Sequence, residues 1–258
     1  MEIEGIMFAL EAKNLVKEFG KSKSRAVDNV SFAIKPGEKV AIVGPNGAGK
    51  TTTIMMALGL IEPTSGSALI FGDDPKGRNV KSMEQVGFCA GYANFRTDRK
   101  VFQILKYNAM LYGIENPDRA VEEILLSLDI KHLSNKRTKS LSSGQGTLIS
   151  VAKALVHKPK IVIMDEPTAF TDPEVSQRIQ DILSEYNEKF NMTVVITSHD
   201  MQEVERICGR VIFIAQGKVV MDATPNSIRE STGHKTLEEA WLSFAKEHEK
   251  EFTQEEEI

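Results

Sequence analysis

Eight consecutive residues early in the sequence have the spacing of a phosphate-binding loop. The pattern GxxxxGK[ST] ends at Lys50 and Thr51, follows the apolar run Val40 to Val43 and precedes a helical pattern, as the motif requires. Glycines let successive backbone N–H groups converge on phosphate oxygens, and a helix N-terminus adds its positive dipole end. We predict phosphate contacts from the loop and the residue after it: Gly44, Pro45, Asn46, Gly47, Ala48, Gly49, Lys50, Thr51 and Thr52.

Two side chains of this loop have chemistry of their own. Lys50 supplies a positive charge for the β- and γ-phosphates of a nucleotide, and Thr51 offers a hydroxyl to Mg²⁺. The alternative is a glycine-rich turn that binds nothing. The full motif match and its flanking strand and helix patterns favour the nucleotide site.

Two adjacent carboxylates follow a buried-strand pattern. Four apolar residues, Ile161 to Met164, run directly into Asp165 and Glu166. A parallel strand delivers such side chains to the edge of the sheet where ligands of open α/β folds bind. We predict that Asp165 holds Mg²⁺ and that Glu166 acts as the general base for an attacking water. Such a pair alone often only caps a turn, so this interpretation depends on the phosphate loop.

The elements that position these residues alternate between strand and helix. Alternation of β-branched runs with amphipathic segments predicts an α/β fold with a mostly parallel sheet. Gln216-Gly217 predicts a tight hairpin and hence an antiparallel edge. The predicted strands are Lys39–Val43, Leu69–Phe71, Gln85–Phe88, Lys160–Met164, Thr193–Thr197, Val211–Ala215 and Lys218–Met221. The predicted helices are Lys50–Leu60, Val101–Tyr112, Asp118–Leu128, Ser143–Val156, Pro173–Phe190, Asp200–Cys208, Asn226–Glu230 and Thr236–Glu249.

The helical pattern from Tyr92 to Val156 predicts a lobe inserted into the sheet domain. The expected organisation is a discontinuous core at 1–91 and 157–222, a helical lobe at 92–156, and a helical extension at 223–258. The extension ends in Glu255-Glu256-Glu257, which predicts a solvated end, with a docking tail as the alternative.

Length and composition exclude several classes of protein. The chain has 258 residues, of which 41% are hydrophobic and 26% charged, so fibres, mini-proteins and wholesale disorder are excluded. A formal charge of -4 argues against a general nucleic-acid binder. The longest uncharged apolar stretch, Thr51 to Ile61, is too short to span a bilayer.

The N-terminus and the cysteines favour a cytoplasmic protein. Met1-Glu2-Ile3-Glu4 has acidic residues where a signal peptide has positive charge. Cys89 and Cys208 have the spacing of neither a metal pair nor a disulfide framework, so we predict two reduced, partly buried thiols.

A third motif gives the sequence a resemblance to a known family, the ATP-binding cassette (ABC) ATPases. The segment Leu141-Ser142-Ser143-Gly144-Gln145 resembles the family's LSGGQ signature, with Ser143 in place of the first glycine. Read alone, this segment is simply a helix N-cap. Beside the phosphate loop and the Asp165-Glu166 strand, it identifies the chain as similar to this family over roughly Phe8 to Leu242.

The resemblance implies a fold, ligands and partners. The implied fold is a RecA-like P-loop NTPase core with a mixed, mainly parallel sheet, the inserted helical lobe and an N-terminal antiparallel β region. The ligands are ATP and Mg²⁺. Two nucleotide-binding subunits, in a homo- or heterodimer, close head to tail, so that the signature contacts the γ-phosphate held by the opposite subunit; the residues involved are Ser142, Ser143, Gly144 and Gln145.

The resemblance also assigns three single residues. His199, in Thr197-Ser198-His199-Asp200, matches the family's switch histidine, which senses the γ-phosphate and supports Glu166. Asp172 occupies the position of the D-loop aspartate, which communicates across the dimer. Phe19 resembles the aromatic residue that stacks on adenine, with core packing as the alternative.

One position departs from the family pattern. Aligned without gaps, Gly91 stands where the Q-loop glutamine, which contacts Mg²⁺ and senses the partner, is expected. Asn94 is a candidate substitute oxygen donor. The departure puts the coupling of hydrolysis to a partner in doubt more than it does nucleotide binding.

The resemblance is strongest to ATPase subunits of bacterial and archaeal exporters. It implies an ATP-hydrolysing subunit held at the inner face of the cell membrane by an integral membrane permease, with no nucleic-acid partner. The alternatives are a soluble regulatory or scaffold ATPase of the same family, or a weakly hydrolysing cassette of a heterodimer.

Overall fold

The computed structural model describes residues 7–20, 24–76, 81–90, 95, 98–169 and 171–243. The strands are β1 (Leu10–Phe19), β2 (Ser24–Ile34), β3 (Lys39–Val43), β4 (Ser65–Ile70), β5 (Val86–Ala90), β6 (Ile161–Asp165), β7 (Thr193–Ser198), β8 (Arg210–Ala215) and β9 (Lys218–Ala223). The helices are α1 (Lys50–Ala57), α2 (Val101–Leu111), α3 (Pro117–Ser127), α4 (Ser143–Leu155), α5 (Pro173–Phe190), α6 (Met201–Ile207) and α7 (Pro225–Thr232). Residues 237–243 form a further helical segment.

The main sheet is mostly parallel, as the strand and helix alternation predicted. Its order is β5-β6-β7-β3-β8-β9, and only the pairing of β8 with β9 is antiparallel within it. The connection between β8 and β9 is the predicted tight hairpin. Gln216 and Gly217 both have positive φ, 47° and 74°, which matches the right-handed twist of the two strands.

Alternate residues of the central strands supply two hydrophobic cores. On β6, Val162 and Met164 join the core formed with α2 to α6, whereas Ile161 and Ile163 join the core beneath α1 and the second sheet. Because both faces are covered, the strand reads as a continuous apolar run. The charged end of this strand is thereby held rigidly at the edge of the sheet.

A second, antiparallel sheet has the order β2-β1-β4. It confirms the N-terminal antiparallel β region that the resemblance implied, but the sequence patterns had placed no strand before Lys39. Asn14 and Asn29 have positive φ, 50° and 58°, and the β1–β2 register shifts three times. These irregularities break the alternation of apolar and polar residues that reveals a half-buried strand.

Two predicted element boundaries were wrong for a backbone reason. Helix α1 ends at Ala57 and not at Leu60, because Gly59 adopts a left-handed conformation with φ of 68°. Strand β4 begins at Ser65 and stops before Phe71, which has φ of 47°.

The segment from 98 to 156 is helical, as predicted, and its described residues contain no strand. Val101 and Leu105 of α2 share a hydrophobic core with Val162 of β6, so the helical segment packs directly on the main sheet. The proposed lobe boundaries at 92–156 remain predictions. Within the described ranges no helix has the length and apolar character needed to cross a membrane.

Candidate functional site

The phosphate loop depends on glycine at two close backbone approaches. A Cβ on Gly44 would lie 2.1 Å from the carbonyl oxygen of Ile214, and a Cβ on Gly49 would lie 2.3 Å from that of Ala26. Gly49 also has φ of 100°, which L side chains rarely adopt. The loop is therefore packed against β8 and β2 in a shape that only glycine allows.

The side chain of Lys50 is held across the phosphate loop by backbone carbonyl groups of that loop. Its side chain is buried, and Nζ donates hydrogen bonds to the carbonyl oxygens of Gly44 (2.8 Å) and Pro45 (3.1 Å). Nζ also lies 3.8 Å from Oε1 of Glu166. Burial lowers the pKa of Lys50, while the charges of Glu166 and Asp165 act in the opposite direction. The ammonium group thus lies between the loop and the carboxylates of β6.

Hydroxyl and carboxylate oxygens converge beside Lys50. The Thr51 hydroxyl donates to Oδ2 of Asp165 (2.8 Å), and the Thr197 hydroxyl donates to Oδ1 (2.6 Å). Oxygen ligands of this kind are those that Mg²⁺ prefers. The first turn of α1 contains Lys50 and three threonines but no carboxylate, which suits phosphate at that helix N-terminus. The residues present therefore fit a nucleotide phosphate with Mg²⁺.

Glu166 and His199 form the opposite side of this cluster. Glu166 has φ of 49°, and its N–H donates to the Thr197 hydroxyl at 2.8 Å. Its Oε2 lies 3.6 Å from Nδ1 of His199, whose side chain is 61% exposed. Both residues line a cavity of about 370 Å³ with the first turns of α5 and α6. A carboxylate and a histidine thus share one solvent-accessible space.

The signature segment forms the start of α4. Ser142 is the N-cap: its hydroxyl accepts from the N–H of Gln145 (3.3 Å), and Gln145 Oε1 accepts from the Ser142 N–H (3.4 Å). The N-cap interpretation is therefore confirmed. Ser142 and Ser143 are nevertheless exposed, so their hydroxyls face solvent. Contact of this segment with a γ-phosphate stays a prediction.

The D-loop aspartate lies beside the signature. Asp172 is the N-cap of α5 and accepts from the N–H of Val175 at 3.0 Å. A Cβ on Gly144 would lie 3.4 Å from Val175 Cγ2 and 3.6 Å from Asp172 Oδ2. The starts of α4 and α5 are thus in close contact.

The signature and the phosphate loop occupy different parts of the molecule. Helix α1 contacts β1, β2, β4 and β6, whereas α4 contacts β5, α2, α3 and α5. Among the residues that the structure describes, no hydrogen bond joins residues 142–145 to the phosphate loop. One chain therefore brings together Lys50, Thr51, Asp165, Glu166 and His199, and it leaves the signature elsewhere.

Phe19 ends β1 with its ring partly open to solvent. Its exposed fraction is 47%, and Lys17 Nζ lies 5.2 Å from the ring centroid. Core packing, the alternative interpretation, is thereby excluded. The free ring is suited to stacking on a base.

The Q-loop prediction falls outside the described residues. Gly91 and Asn94 belong to that part of the chain, which begins directly after β5. Ala90 at the end of β5 pairs with Asp165 on β6.

The two cysteines are free, as predicted, but they are buried and not partly buried. Burial raises the pKa of Cys89 to about 12.

Two residues of the site were missed by sequence reasoning. Thr197 contacts both Asp165 and Glu166, yet only its neighbour His199 was singled out. Glu203 is buried on α6 and accepts hydrogen bonds from Thr168 and Ser198. An acidic residue beside the apolar Val204 and Ile207 was a signal that could have found it.

Comparisons with known proteins agree with this geometry. The family model described as ABC transporter matches residues 27–169. The chain is 32% identical over 253 residues to the probable multidrug ABC transporter ATP-binding protein YbhF of Escherichia coli, a match covering 95% of this chain but 43% of that relative. It is 31% identical to the linearmycin resistance ATP-binding protein LnrL of Bacillus subtilis, covering 88% of this chain and 73% of the relative.

A solved structure has the same fold. The dimeric, post-hydrolysis ATP-binding cassette MJ0796, bound to ADP and Pi, superposes with a TM-score of 0.76 at 25% identity, covering 83% of this chain and 98% of that one. The sequence matches span most of the described chain, and the structural match includes both sheets' architecture. On these grounds the chain belongs to the ABC transporter family, with the α/β fold of its ATPase cassettes.

Proposed function

We propose that this chain binds ATP with Mg²⁺ and hydrolyses it as the cytoplasmic, energy-supplying subunit of a membrane exporter. The observation that carries the proposal is the convergence of Lys50, Thr51, Asp165 and Glu166 through contacts of 2.8 to 3.8 Å. These residues combine a phosphate-binding ammonium group, a metal-binding oxygen pair and a candidate base. That combination is the minimum that phosphoryl transfer to water requires.

Each residue has a defined task in this proposal. The loop N–H groups and Lys50 hold the β- and γ-phosphates, while Thr51 and Asp165 hold Mg²⁺, which neutralises charge on the phosphates. Glu166 accepts the proton of a water that attacks the γ-phosphorus, and the bond to the ADP oxygen breaks. His199 orients Glu166 and contacts the γ-phosphate. Phe19 stacks on the adenine ring.

We infer that a second nucleotide-binding subunit completes the site. The signature residues of one chain, Ser142 to Gln145, lie away from its own phosphate loop, and Ser142 and Ser143 face solvent. A head-to-tail dimer would aim this helix N-terminus at the phosphates held by the other subunit, with Asp172 at the junction. The dimeric state of the cassette MJ0796 supports this arrangement.

Export through a permease is supported by the relatives. The names of YbhF and LnrL describe multidrug transport and resistance to linearmycin. The chain spans less than half of the length of YbhF, 43%. We infer a permease partner in the cell membrane that transmits dimer closure to the transported molecule.

Substitution of Glu166 tests the hydrolytic role. Glu166→Gln keeps the shape of the side chain but removes the base, so we expect ATP binding to persist and turnover to fall at least about 100-fold. Phosphate release and nucleotide binding by the purified chain measure the two effects. Glu188→Gln, an exposed position on α5, is the matched control. Undiminished hydrolysis by Glu166→Gln would contradict the assignment.

A soluble regulatory ATPase, or a weakly hydrolysing cassette of a heterodimer, is the second candidate, favoured by Gly91 at the Q-loop position. Affinity isolation from detergent-solubilised cells, followed by mass spectrometry, separates the candidates. A stoichiometric multi-spanning membrane protein supports the transporter. Recovery of soluble proteins alone supports the regulatory role, and low turnover that rises in the isolated complex supports the heterodimer.

A further inference from the structure

Glu203 is a buried carboxylate that the hydrolytic residues do not include. It lies on α6 with 2% of its surface exposed. In the part of the chain that the structure describes, it forms no salt bridge with Lys, Arg or His, and burial raises its pKa. A buried carboxylate without a cation is unfavourable unless its hydrogen bonds are satisfied. Its partners are therefore informative.

Both partners of Glu203 are hydroxyl groups on segments that carry site residues. The Thr168 hydroxyl donates to Oε1 at 2.8 Å, and Thr168 lies two residues after Glu166. The Ser198 hydroxyl donates to Oε2 at 2.7 Å, and Ser198 directly precedes His199. One carboxylate thus ties the segment that follows β6 to the last residue of β7.

Glu166 and His199 lack a close bond of their own. Glu166 Oε2 and His199 Nδ1 are 3.6 Å apart, which is too long for a hydrogen bond. Their relative position therefore depends on the backbone that carries them. The Thr197 hydroxyl accepts a hydrogen bond from the Glu166 N–H at 2.8 Å. The Glu203 carboxylate binds Thr168, two residues after Glu166, and Ser198, the residue before His199.

The same network continues toward the start of α5. The Thr168 carbonyl oxygen accepts from the N–H (3.1 Å) and the hydroxyl (2.9 Å) of Thr171. Thr171 is followed by Asp172, which lies against the signature at Gly144. The Ser198 hydroxyl in turn accepts from the N–H of Asp200 at 3.0 Å. Glu203 stands at the centre of a hydrogen-bond chain that runs from Asp200, next to His199, to Thr171, next to Asp172.

We propose that Glu203 is a positioning residue, which holds His199 and Glu166 in register by binding Ser198 and Thr168. The inference rests on the proposed ATP hydrolysis. Glu203 touches neither substrate nor metal in this role. Its loss lowers the rate of the chemical step because a displacement of about 1 Å can cost 100-fold in rate.

Two variants separate positioning from simple folding. Glu203→Ala leaves two hydroxyls without their acceptor and can fail to fold. The triple variant Thr168→Val, Ser198→Ala, Glu203→Met replaces every member of the bridge with an apolar group, so neither the carboxylate nor a hydroxyl of the bridge is left buried without its partner. The Asp200 N–H also loses its Ser198 acceptor, but Asp200 is exposed, so water can take the place of that acceptor. We expect the triple variant to unfold at a temperature close to that of the wild type, yet to have a kcat at least about tenfold lower, with the KM for ATP within about twofold.

The control and the opposing results are specific. Glu188→Met, at an exposed position near the end of α5 and outside the residues that line the cavity of Glu166 and His199, should leave kcat unchanged. A stable triple variant with wild-type kcat overturns the inference, as does a rise in KM with kcat preserved, because either result means that the bridge does not position the catalytic groups.

Nuclear magnetic resonance of the His199 ring keeps this test distinct from that of the proposed function. The signal is assigned by its absence in His199→Asn. In the wild type without nucleotide, we expect Glu166→Gln to change the chemical shift of this signal, because the ring lies beside the carboxylate, while the His132 and His234 signals keep theirs. In the triple variant the same substitution should change the His199 shift much less, because the two side chains are no longer held side by side. A change of equal size in both proteins contradicts the inference. A wild-type chain without ATPase activity contradicts only the hydrolytic function.

Discussion

At the scale of single residues, the site is built from unusual backbone conformations. Glu166 has a positive φ, which is uncommon for a residue with a side chain, and it occurs directly after the strand that carries Asp165. Left-handed residues of this kind cluster at functional sites, where the surrounding structure enforces them. Here the Glu166 N–H is fixed by Thr197 on the adjacent strand. The turn lets two neighbouring carboxylates contact different partners, Thr51 and Lys50.

Two glycines of the phosphate loop should respond differently to a methyl group. Both have positive φ, 100° at Gly49 and 82° at Gly47, but an added Cβ meets the Ala26 carbonyl oxygen only at Gly49. We expect Gly49→Ala to lower the free energy of unfolding by at least about 3 kcal/mol and Gly47→Ala by about 1 kcal/mol. Urea unfolding measures both. Equal losses would mean that the close approach to β2 is unimportant.

At the scale of elements, one buried histidine links α4 to the edge strand β5. His157 follows α4, and its Nε2 donates to the Val86 carbonyl oxygen at 3.1 Å. Its ring stacks on Tyr112 with centroids 3.7 Å apart, while Nδ1 has no partner among the described residues. Burial lowers the pKa of His157 to about 4. The junction of the helical segment with the sheet therefore favours the neutral ring.

This histidine should make stability depend on pH. Between its unfolded pKa of about 6.5 and its folded pKa of about 4, the unfolded chain binds the proton and the folded chain does not. The contribution of His157 to the free energy of unfolding is fully present above about pH 6.5. It decreases as the pH falls, by about 2 kcal/mol at pH 5.

Urea unfolding at pH 5 and pH 8 measures this effect. The control His157→Phe keeps an aromatic ring against Tyr112 but cannot titrate, so the pH dependence that His157 adds should vanish. The hydrogen bond to Val86 is also lost in the control, so the two proteins are compared by their change with pH and not by absolute stability. An identical change with pH in both would show that His157 is not the group responsible.

At the scale of the whole molecule, the separation of the signature from the phosphate loop predicts complementation between defective chains. Lys50→Ala removes the ammonium group from the phosphate loop and leaves the signature segment intact. Ser143→Glu places an acid in the first turn of α4, where the helix dipole tolerates it but phosphate is repelled. Each variant alone should be inactive. Mixed together, they form heterodimers in which one of the two sites combines an intact phosphate loop with an intact signature.

We therefore expect the mixture to recover about a quarter of wild-type turnover, if random pairing makes half of the dimers mixed and each has one working site. Phosphate release measured over a series of mixing ratios checks this. A mixture of Lys50→Ala with Lys50→Ala, Ser143→Glu is the control, because no pairing in it supplies an intact loop. No recovery in the first mixture would mean that the site is not shared between subunits.

The sequence by itself determined the parts of this protein that depend on neighbouring residues. The proposed phosphate loop is one run of residues from Gly44 to Thr51, and the apolar run of β6 leads directly into Asp165 and Glu166, so both were predicted from local spacing. The parallel sheet and the hairpin at Gln216-Gly217 followed from periodicity and turn chemistry, for the same reason.

The tertiary structure decided which distant residues meet. Thr51 and Asp165 are 114 positions apart, and their hydrogen bond exists because β3 and β6 flank β7 in one sheet. The sequence patterns did not predict strands β1 and β2, because their bulges disrupt the alternation of apolar and polar residues. These strands are defined by their pairing with each other in the sheet. The bridge at Glu203 joins Thr168 to Ser198 across two strand ends. Such contacts are set by packing of the whole sheet, which no local pattern encodes.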